Sequence, residues 1–156
     1  MQKTILGVLA AGLLLITSCS KNNSSPGNSW TFRTVTYNAT TCQGVASTLT
    51  ASNLSGSNTA TYGTLECTFN GTTLPASGSI DTVVSGVPTN NKQIGISATI
   101  NGASTSYRAT GGNGIQLVTV SVSNGKVAVS GSGIELVNTG TASDSSSLTL
   151  NITQLQ

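Results

Sequence analysis

The stretch VTVSVSNGKVAV at residues 118–129 decides the fold class. Apolar and polar residues alternate in it with a period of two, which is the pattern of a β-strand with one buried face. Its valines keep the alternation on both sides of a central dipeptide: Val118, Val120, Val122, Val127 and Val129. The dipeptide, Asn124-Gly125, favours a type I′ hairpin turn, which requires positive φ at both of its central residues. The stretch therefore predicts two antiparallel strands joined by a tight turn.

Similar alternation continues in both directions from this hairpin. Further strands are expected at residues 30–37, 46–52, 59–69, 94–100, 104–108 and 148–153. The first strand is expected to have two faces, one with Trp30, Phe32, Thr34 and Thr36 and the other with Val35 and Tyr37. The second strand of the hairpin should reach Val137, and Gly131 and Gly133 within it would permit a β-bulge.

The remaining turn signals complete the domain. Asn70-Gly71 and Asn101-Gly102 also mark hairpins, the first less clearly because Pro75 and Gly78 interrupt the residues after it. Strands that are evenly spaced between turns are typical of all-β sandwiches and barrels. We expect an all-β, antiparallel, sandwich-like single domain of about eight or nine strands at residues 30–156. The pattern does not distinguish a sandwich from a barrel.

The N-terminus has the composition of a secretory signal peptide. Lys3 precedes an uncharged, largely apolar run at residues 5–16, which is too short to span a bilayer but fits a signal peptide. The following Ile16-Thr17-Ser18-Cys19 resembles the lipobox of bacterial lipoproteins, and the next residues resemble the start of small Bacteroidota lipoproteins. The resemblance implies a signal peptide at residues 1–18 and lipidation of Cys19.

The resemblance also implies a location. A lipid on Cys19 would anchor the chain to the outer membrane, and residues 19–29 would form a polar tether without apolar side chains to pack. Lipoproteins exported to the cell surface in this group often carry acidic residues after the cysteine, and residues 20–23 contain none. We therefore expect the periplasmic face, with surface exposure left open.

The other two cysteines are Cys42 and Cys67. In an oxidising compartment, the two cysteines that are left once Cys19 carries the lipid predict one disulfide. Two buried free thiols are the alternative. Neither cysteine has a CxxC spacing or a neighbouring base, so a redox or metal role is not expected.

The composition excludes several classes of function. The chain has no histidine, which removes Ser-His and Cys-His nucleophile pairs and imidazole metal sites. Its six basic residues form no cluster suited to nucleic acid. Residues 138–144 come nearest to a calcium loop but hold one carboxylate, so neither a metal nor another cofactor is predicted. We expect no enzymatic activity.

Two groups of residues keep other functions open. A carbohydrate-binding surface could use Trp30, Tyr62, Tyr107 and Arg108, although Trp30 and Phe32 could equally anchor the core. A glycoside hydrolase would need two carboxylates about 5–10 Å apart, and the mature chain offers Glu66, Asp81, Glu135 and Asp144.

Residues 81–83, Asp-Thr-Val, resemble the O-glycosylation sequon of exported Bacteroidota proteins, which implies modification of Thr82.

The sequence as a whole predicts a non-enzymatic envelope lipoprotein that serves as a binding or structural module. Its expected contacts are the membrane, through the lipid, and a glycan or protein of the envelope. A carbohydrate-binding accessory lipoprotein is the first alternative, and a hydrolase is the second.

Overall fold

The computed structural model describes residues 27–53, 62–100, 105–111 and 114–155, and this part of the chain is all-β. It contains eleven strands, where eight or nine were expected. They are β1 (Ser29–Phe32), β2 (Val35–Asn38), β3 (Thr41–Val45), β4 (Thr48–Asn53), β5 (Gly63–Phe69), β6 (Ser79–Val84), β7 (Gln93–Ile100), β8 (Thr105–Ala109), β9 (Leu117–Ser123), β10 (Lys126–Asn138) and β11 (Ser145–Thr153). The predicted signal peptide, Cys19, most of the tether and the Asn101-Gly102 turn lie outside the described residues.

Five of the strands close into a barrel in the order β10-β9-β6-β7-β8, with β8 returning to β10. The sheet continues from β10 into β11, β1 and β2, and from β7 into β5, β4 and β3. The neighbouring strands are antiparallel, except that β6 and β7 run parallel. The all-β prediction is thus confirmed, with a closed barrel at the centre of the sheet.

The β9–β10 hairpin forms as predicted. Asn124 and Gly125 have φ values of 52° and 73°, and the register pairs Val122 with Val127 across them. The predicted bulge is also present, since the pairing of β10 with β11 shifts between Gly131 and Ile134. This shift lets one long strand pair first with β9 and then with β8, which closes the barrel.

The first predicted strand is wrong, because the chain reverses direction within it. Arg33 and Thr34 adopt φ values of 52° and 65° and form the turn between β1 and β2. Trp30 is consequently paired with Tyr37, and their rings stack with centroids 3.9 Å apart. Tyr37 therefore belongs to the same buried face as Trp30 and not to the opposite one.

A single apolar core fills the space between the strands. Each strand from β3 to β11 contributes its inward-facing residues, and β1 and β2 contribute aromatic rings. The largest fully buried side chains are Trp30, Phe32, Leu49, Leu65, Ile94, Ile96, Tyr107, Ile134, Leu136, Leu148, Leu150 and Ile152.

Cys42 and Cys67 are free thiols, so the predicted disulfide is wrong. Cys42 of β3 is paired with Ala51 of β4, whereas Cys67 of β5 is paired with Leu49 of the same strand. Because β4 lies between them, their Cα atoms are at least two strand spacings, about 9.5 Å, apart. A disulfide requires less than about 7 Å.

The environment of both thiols disfavours reaction. Both side chains are buried, and burial raises the pKa of the Cys42 thiol from 9.0 to about 11. Burial raises the pKa of Cys67 as well, and the nearby Cys42 and Glu66 raise it further. Since the thiolate is the reactive form, both cysteines are expected to be inert in the folded protein.

Thiol titration tests this arrangement. In a Cys19→Ser chain, which leaves only the two buried cysteines, we expect no rapid reaction with Ellman's reagent at pH 8 because both thiols are protonated and covered. After denaturation in guanidinium chloride without reductant, two thiols per chain should react. Denatured protein that shows thiols only after reduction would contain the disulfide and contradict the structure.

Candidate functional site

Two of the four proposed glycan-contact residues are buried, which corrects that prediction. Trp30 is 1% exposed and Tyr107 is 2% exposed, so neither ring offers a surface to a ligand. Trp30 stacks on Tyr37, and Tyr107 meets Phe32 edge to face with centroids 4.8 Å apart. The alternative prediction, that Trp30 and Phe32 anchor the core, is confirmed.

Tyr62 and Arg108 do lie at the surface, but on different parts of it. Tyr62, 36% exposed, comes just before β5, whose first residue, Gly63, pairs with the end of β7 at Ile100. Arg108 of β8 pairs with Ser97, three residues earlier on β7. All six aromatic residues of the chain lie in the described part, and Tyr62 is the one with an exposed ring. The predicted aromatic cluster is therefore not formed.

The four carboxylates are also dispersed. Asp81 of β6 points into the core, whereas Glu66 of β5 is on the outer face of the sheet. Glu135 is half-buried on β10, and Asp144 belongs to the loop between β10 and β11. Asp81 lacks a hydrogen-bond partner for its Oδ1 atom within the part that the structure describes. None of the four lines the pocket described below.

Asp144 holds three segments of the chain together. Its carboxylate forms an ion pair with Arg33 of the β1–β2 turn, and it accepts hydrogen bonds from the Tyr107 hydroxyl (3.0 Å) and the Asn138 amide (2.9 Å). The Arg33 guanidinium lies 4.9 Å from the centroid of the Tyr107 ring. Burial raises the pKa of Tyr37 nearby, an effect that the charge of Arg33 partly offsets.

The oxygen atoms at residues 138–144 that could bind calcium already accept hydrogen bonds or form an ion pair. The carboxylate oxygens already face a guanidinium, a phenol and an amide, all of them donors. The side-chain Oδ1 of Asn138, another potential ligand, accepts a hydrogen bond from the Gly140 backbone N–H (2.8 Å). No group of three or more acidic or cysteine side chains suited to a metal occurs among the described residues. The cluster is a structural connection between strands.

The outer face of the sheet carries a row of polar side chains across β5, β7 and β8. The register aligns Glu66 with Ser97 and Ser97 with Arg108. The Ser97 hydroxyl donates a 3.5 Å hydrogen bond to Glu66 Oε2. Arg108 has no ion-pair partner among the described residues, because the one salt bridge found there joins Arg33 and Asp144.

A pocket of about 210 Å³ lies beside this row. Its lining residues are Thr68, Gly86, Val87, Gly95, Ile96, Ser97 and Arg108. Gly95 has no side chain on the outer face, and a Cβ atom there would lie 2.6 Å from the carbonyl oxygen of Gly86. The segment after β6 can therefore pass directly over β7, with Gly86 at a φ of 89°. This crossing forms one wall of the pocket and leaves Val87 80% exposed.

The chemistry of the pocket is that of a binding site for an anion. Arg108 is the one charged side chain in its lining, and Thr68 and Ser97 add hydroxyl groups. A guanidinium presents forked donors that match a carboxylate or phosphate. The lining contains no pair of groups that could act as acid and base. Gly95 between Ile94 and Ile96 was a usable sequence signal, since a glycine within a strand often marks a close approach of backbone.

A second surface feature surrounds the predicted glycosylation site. Ile80, Ile115 and Leu117 form an exposed apolar strip on and beside β6 and β9. Thr82 pairs with Leu117 within this strip and is half-buried, and Asp81 before it is buried. Modification of Thr82 stays a prediction.

Comparison with known proteins gave no match among protein families, curated proteins or solved structures. Within the described ranges, no helix is long and apolar enough to cross a membrane.

Proposed function

We propose that this chain is a lipid-anchored bacterial envelope protein that acts by binding and not by catalysis. The apolar run at residues 5–16 and the lipobox-like sequence ending at Cys19 support the anchor. The lack of acidic residues at positions 20–23 supports the periplasmic face of the outer membrane. The β domain would then be held near the membrane on a short polar tether.

The observation that carries the binding function is the exposed guanidinium of Arg108 at the pocket, which has no ion-pair partner among the described residues. An exposed cation without a counter-ion gains more from an incoming anion than one that is already paired, because no existing ion pair has to break. The segment after β6 passes over β7 where Gly86 meets Gly95, so one wall of the pocket is made partly of backbone atoms. Such a wall is already in place before a ligand binds.

We also propose that the two arms of the sheet form the two layers of a sandwich around the central barrel. Gly63 of β5 supports this, since a Cβ atom there would lie 2.8 Å from the Trp30 ring of β1. The Leu155 backbone N–H, just after β11, donates a 2.8 Å hydrogen bond to the Cys42 carbonyl oxygen of β3. Both contacts bring the β1–β11 arm against the β3–β5 arm.

A carbohydrate ligand is the second candidate, and one observation favours it. The pocket combines hydroxyl groups, a guanidinium and an exposed valine, a mixture that suits a sugar with polar edges and an apolar face. A hydrolase has less support, because none of the four carboxylates lines the pocket.

A binding screen with the purified full chain tests the proposal. The panel would contain envelope polysaccharides, peptidoglycan fragments, host and plant glycans, and peptides. We expect saturable binding of at least one member, and an Arg108→Gln variant should lose it by about tenfold or more because a charged hydrogen bond is removed. Binding that Arg108→Gln leaves intact, or no binding across the panel, would contradict the proposed site.

A further inference from the structure

Arg108 is a single positive charge at the edge of a small pocket. On the basis of the binding function proposed above, we infer that this pocket binds the carboxylate of an acidic sugar residue, of the uronic acid class. The sugar would belong to a polysaccharide, with one ring in the pocket and its neighbours along the outer face of the sheet.

The charge of the site favours a carboxylate over a phosphate. Arg108 is the one cation in the lining, and a monoanion is sufficient to neutralise it. Phosphate sites usually add further donors, such as a helix N-terminus or a nest of backbone N–H groups, and the described part of the chain has no helix. A guanidinium fork and a carboxylate match as two parallel hydrogen bonds.

The rest of the lining favours a sugar ring. Thr68 and Ser97 provide hydroxyl groups that can both donate and accept, as sugar hydroxyl groups require. The Ser97 hydroxyl donates to Glu66, which leaves its oxygen lone pairs directed away from Glu66 as acceptors. Val87 is exposed at the pocket wall and offers an apolar surface to the C–H face of a ring.

The outer face beside the pocket can accept the neighbouring sugar residues. Two registered rows of polar residues cross β4, β5 and β7 there. The first row is Thr64 and Thr99, beside the buried Ser52 of β4, and the second is Thr50, Glu66 and Ser97. Adjacent strands place such groups about 4.8 Å apart. A continuous polar surface across several strands suits an extended polysaccharide better than a compact ligand.

The charge of Glu66 should affect the binding of an acidic oligosaccharide in the opposite direction to that of Arg108. Glu66 lies two strands from Arg108 in the same row, about 9.5 Å across the sheet. Its charge would repel a second carboxylate on the polysaccharide. Glu66→Gln is therefore expected to tighten binding of an acidic oligosaccharide, whereas Arg108→Gln weakens it.

Calorimetric titration of the purified full chain with tetragalacturonate tests the inference. The matched probe is the fully methyl-esterified tetrasaccharide, which keeps the ring and hydroxyl groups but masks the carboxylates. We expect saturable binding of the acid, and binding about tenfold or more weaker for the ester and for Arg108→Gln. Arg108→Lys should also weaken binding because the fork is lost.

The control variant is Lys126→Gln, which removes one positive charge at the β9–β10 hairpin, outside the pocket lining. It should bind like the wild type, and circular dichroism should show all variants folded. Equal affinity for acid and ester, unaffected by Arg108→Gln, would overturn the uronate assignment while leaving a binding function in place.

Two other results would separate the failure of the sugar assignment from the failure of the binding function. Binding of peptides with a free C-terminal carboxylate, dependent on Arg108, without binding of the acidic sugar, would overturn the sugar class but retain the proposed function. The absence of binding to every member of the panel would overturn both.

Discussion

Replacing Trp30 by alanine is expected to lower the free energy of unfolding by about 3–5 kcal/mol, the range for truncating a buried large aromatic side chain. The ring is almost fully buried, stacks on Tyr37 with an interplanar angle of 7°, and covers Gly63 of β5. Its removal would open a cavity between the β1–β2 hairpin and β5. Urea denaturation followed by circular dichroism measures the change.

Two further variants identify the cause. Trp30→Phe should lose much less stability, because it keeps an aromatic ring and removes the indole N–H, which has no hydrogen-bond partner among the described residues. Tyr62→Ala, which truncates the one exposed ring, should change stability by no more than about 0.5 kcal/mol. If Trp30→Ala were as stable as the wild type, the ring would lie at the surface and the burial described above would be wrong.

Replacing Asp144 by alanine is expected to lower the free energy of unfolding by about 2–3 kcal/mol, the upper range for hydrogen bonds to a charged group. Both charged side chains of the Arg33–Asp144 pair are about a third exposed, so the ion pair itself contributes little. Most of the loss should come from the Tyr107 hydroxyl and the Asn138 amide, which would lose their acceptor.

Asp144→Asn removes the negative charge of the side chain but keeps its size and shape. Three donors converge on the carboxylate, so an asparagine would direct its own N–H₂ group at one of them. We therefore expect Asp144→Asn to be destabilised as well. Glu66→Gln is the matched control, because its exposed carboxylate receives one long hydrogen bond from Ser97, and its stability should be unchanged. Thermal melts that place Asp144→Asn at or above the wild type would show that the cluster does not hold the three segments together.

The sequence predicted the turns and the bulge that depend on the backbone freedom of one or two neighbouring residues. The Asn124-Gly125 turn and the bulge near Gly131 follow from the backbone freedom of particular residues, and both are present. The Arg33-Thr34 turn has no such signal, since neither residue is glycine or asparagine and apolar residues continue on both sides. Its conformation is imposed by tertiary contacts, in which Trp30 stacks on Tyr37 and Arg33 pairs with Asp144.

Features that depend on strand order could not be predicted. Two cysteines in a chain that its N-terminus predicts to be exported favoured a disulfide, but the position of β4 between β3 and β5 keeps them apart. The pocket likewise depends on β6 and β7 being neighbours, so that the segment after β6 crosses Gly95. Arg108 was identified from the sequence as a candidate contact, whereas its relation to Ser97 and Glu66 comes from the register of three strands.

The most direct test of the Arg108 site is a map of backbone amide chemical shifts during titration of the ¹⁵N-labelled full chain with tetragalacturonate. We expect saturable shifts centred on Thr68, Gly86, Gly95, Ser97 and Arg108, and their loss in Arg108→Gln. Shifts centred on Tyr62 or on the apolar strip of Ile80, Ile115 and Leu117, or shifts that persist in Arg108→Gln, would contradict it.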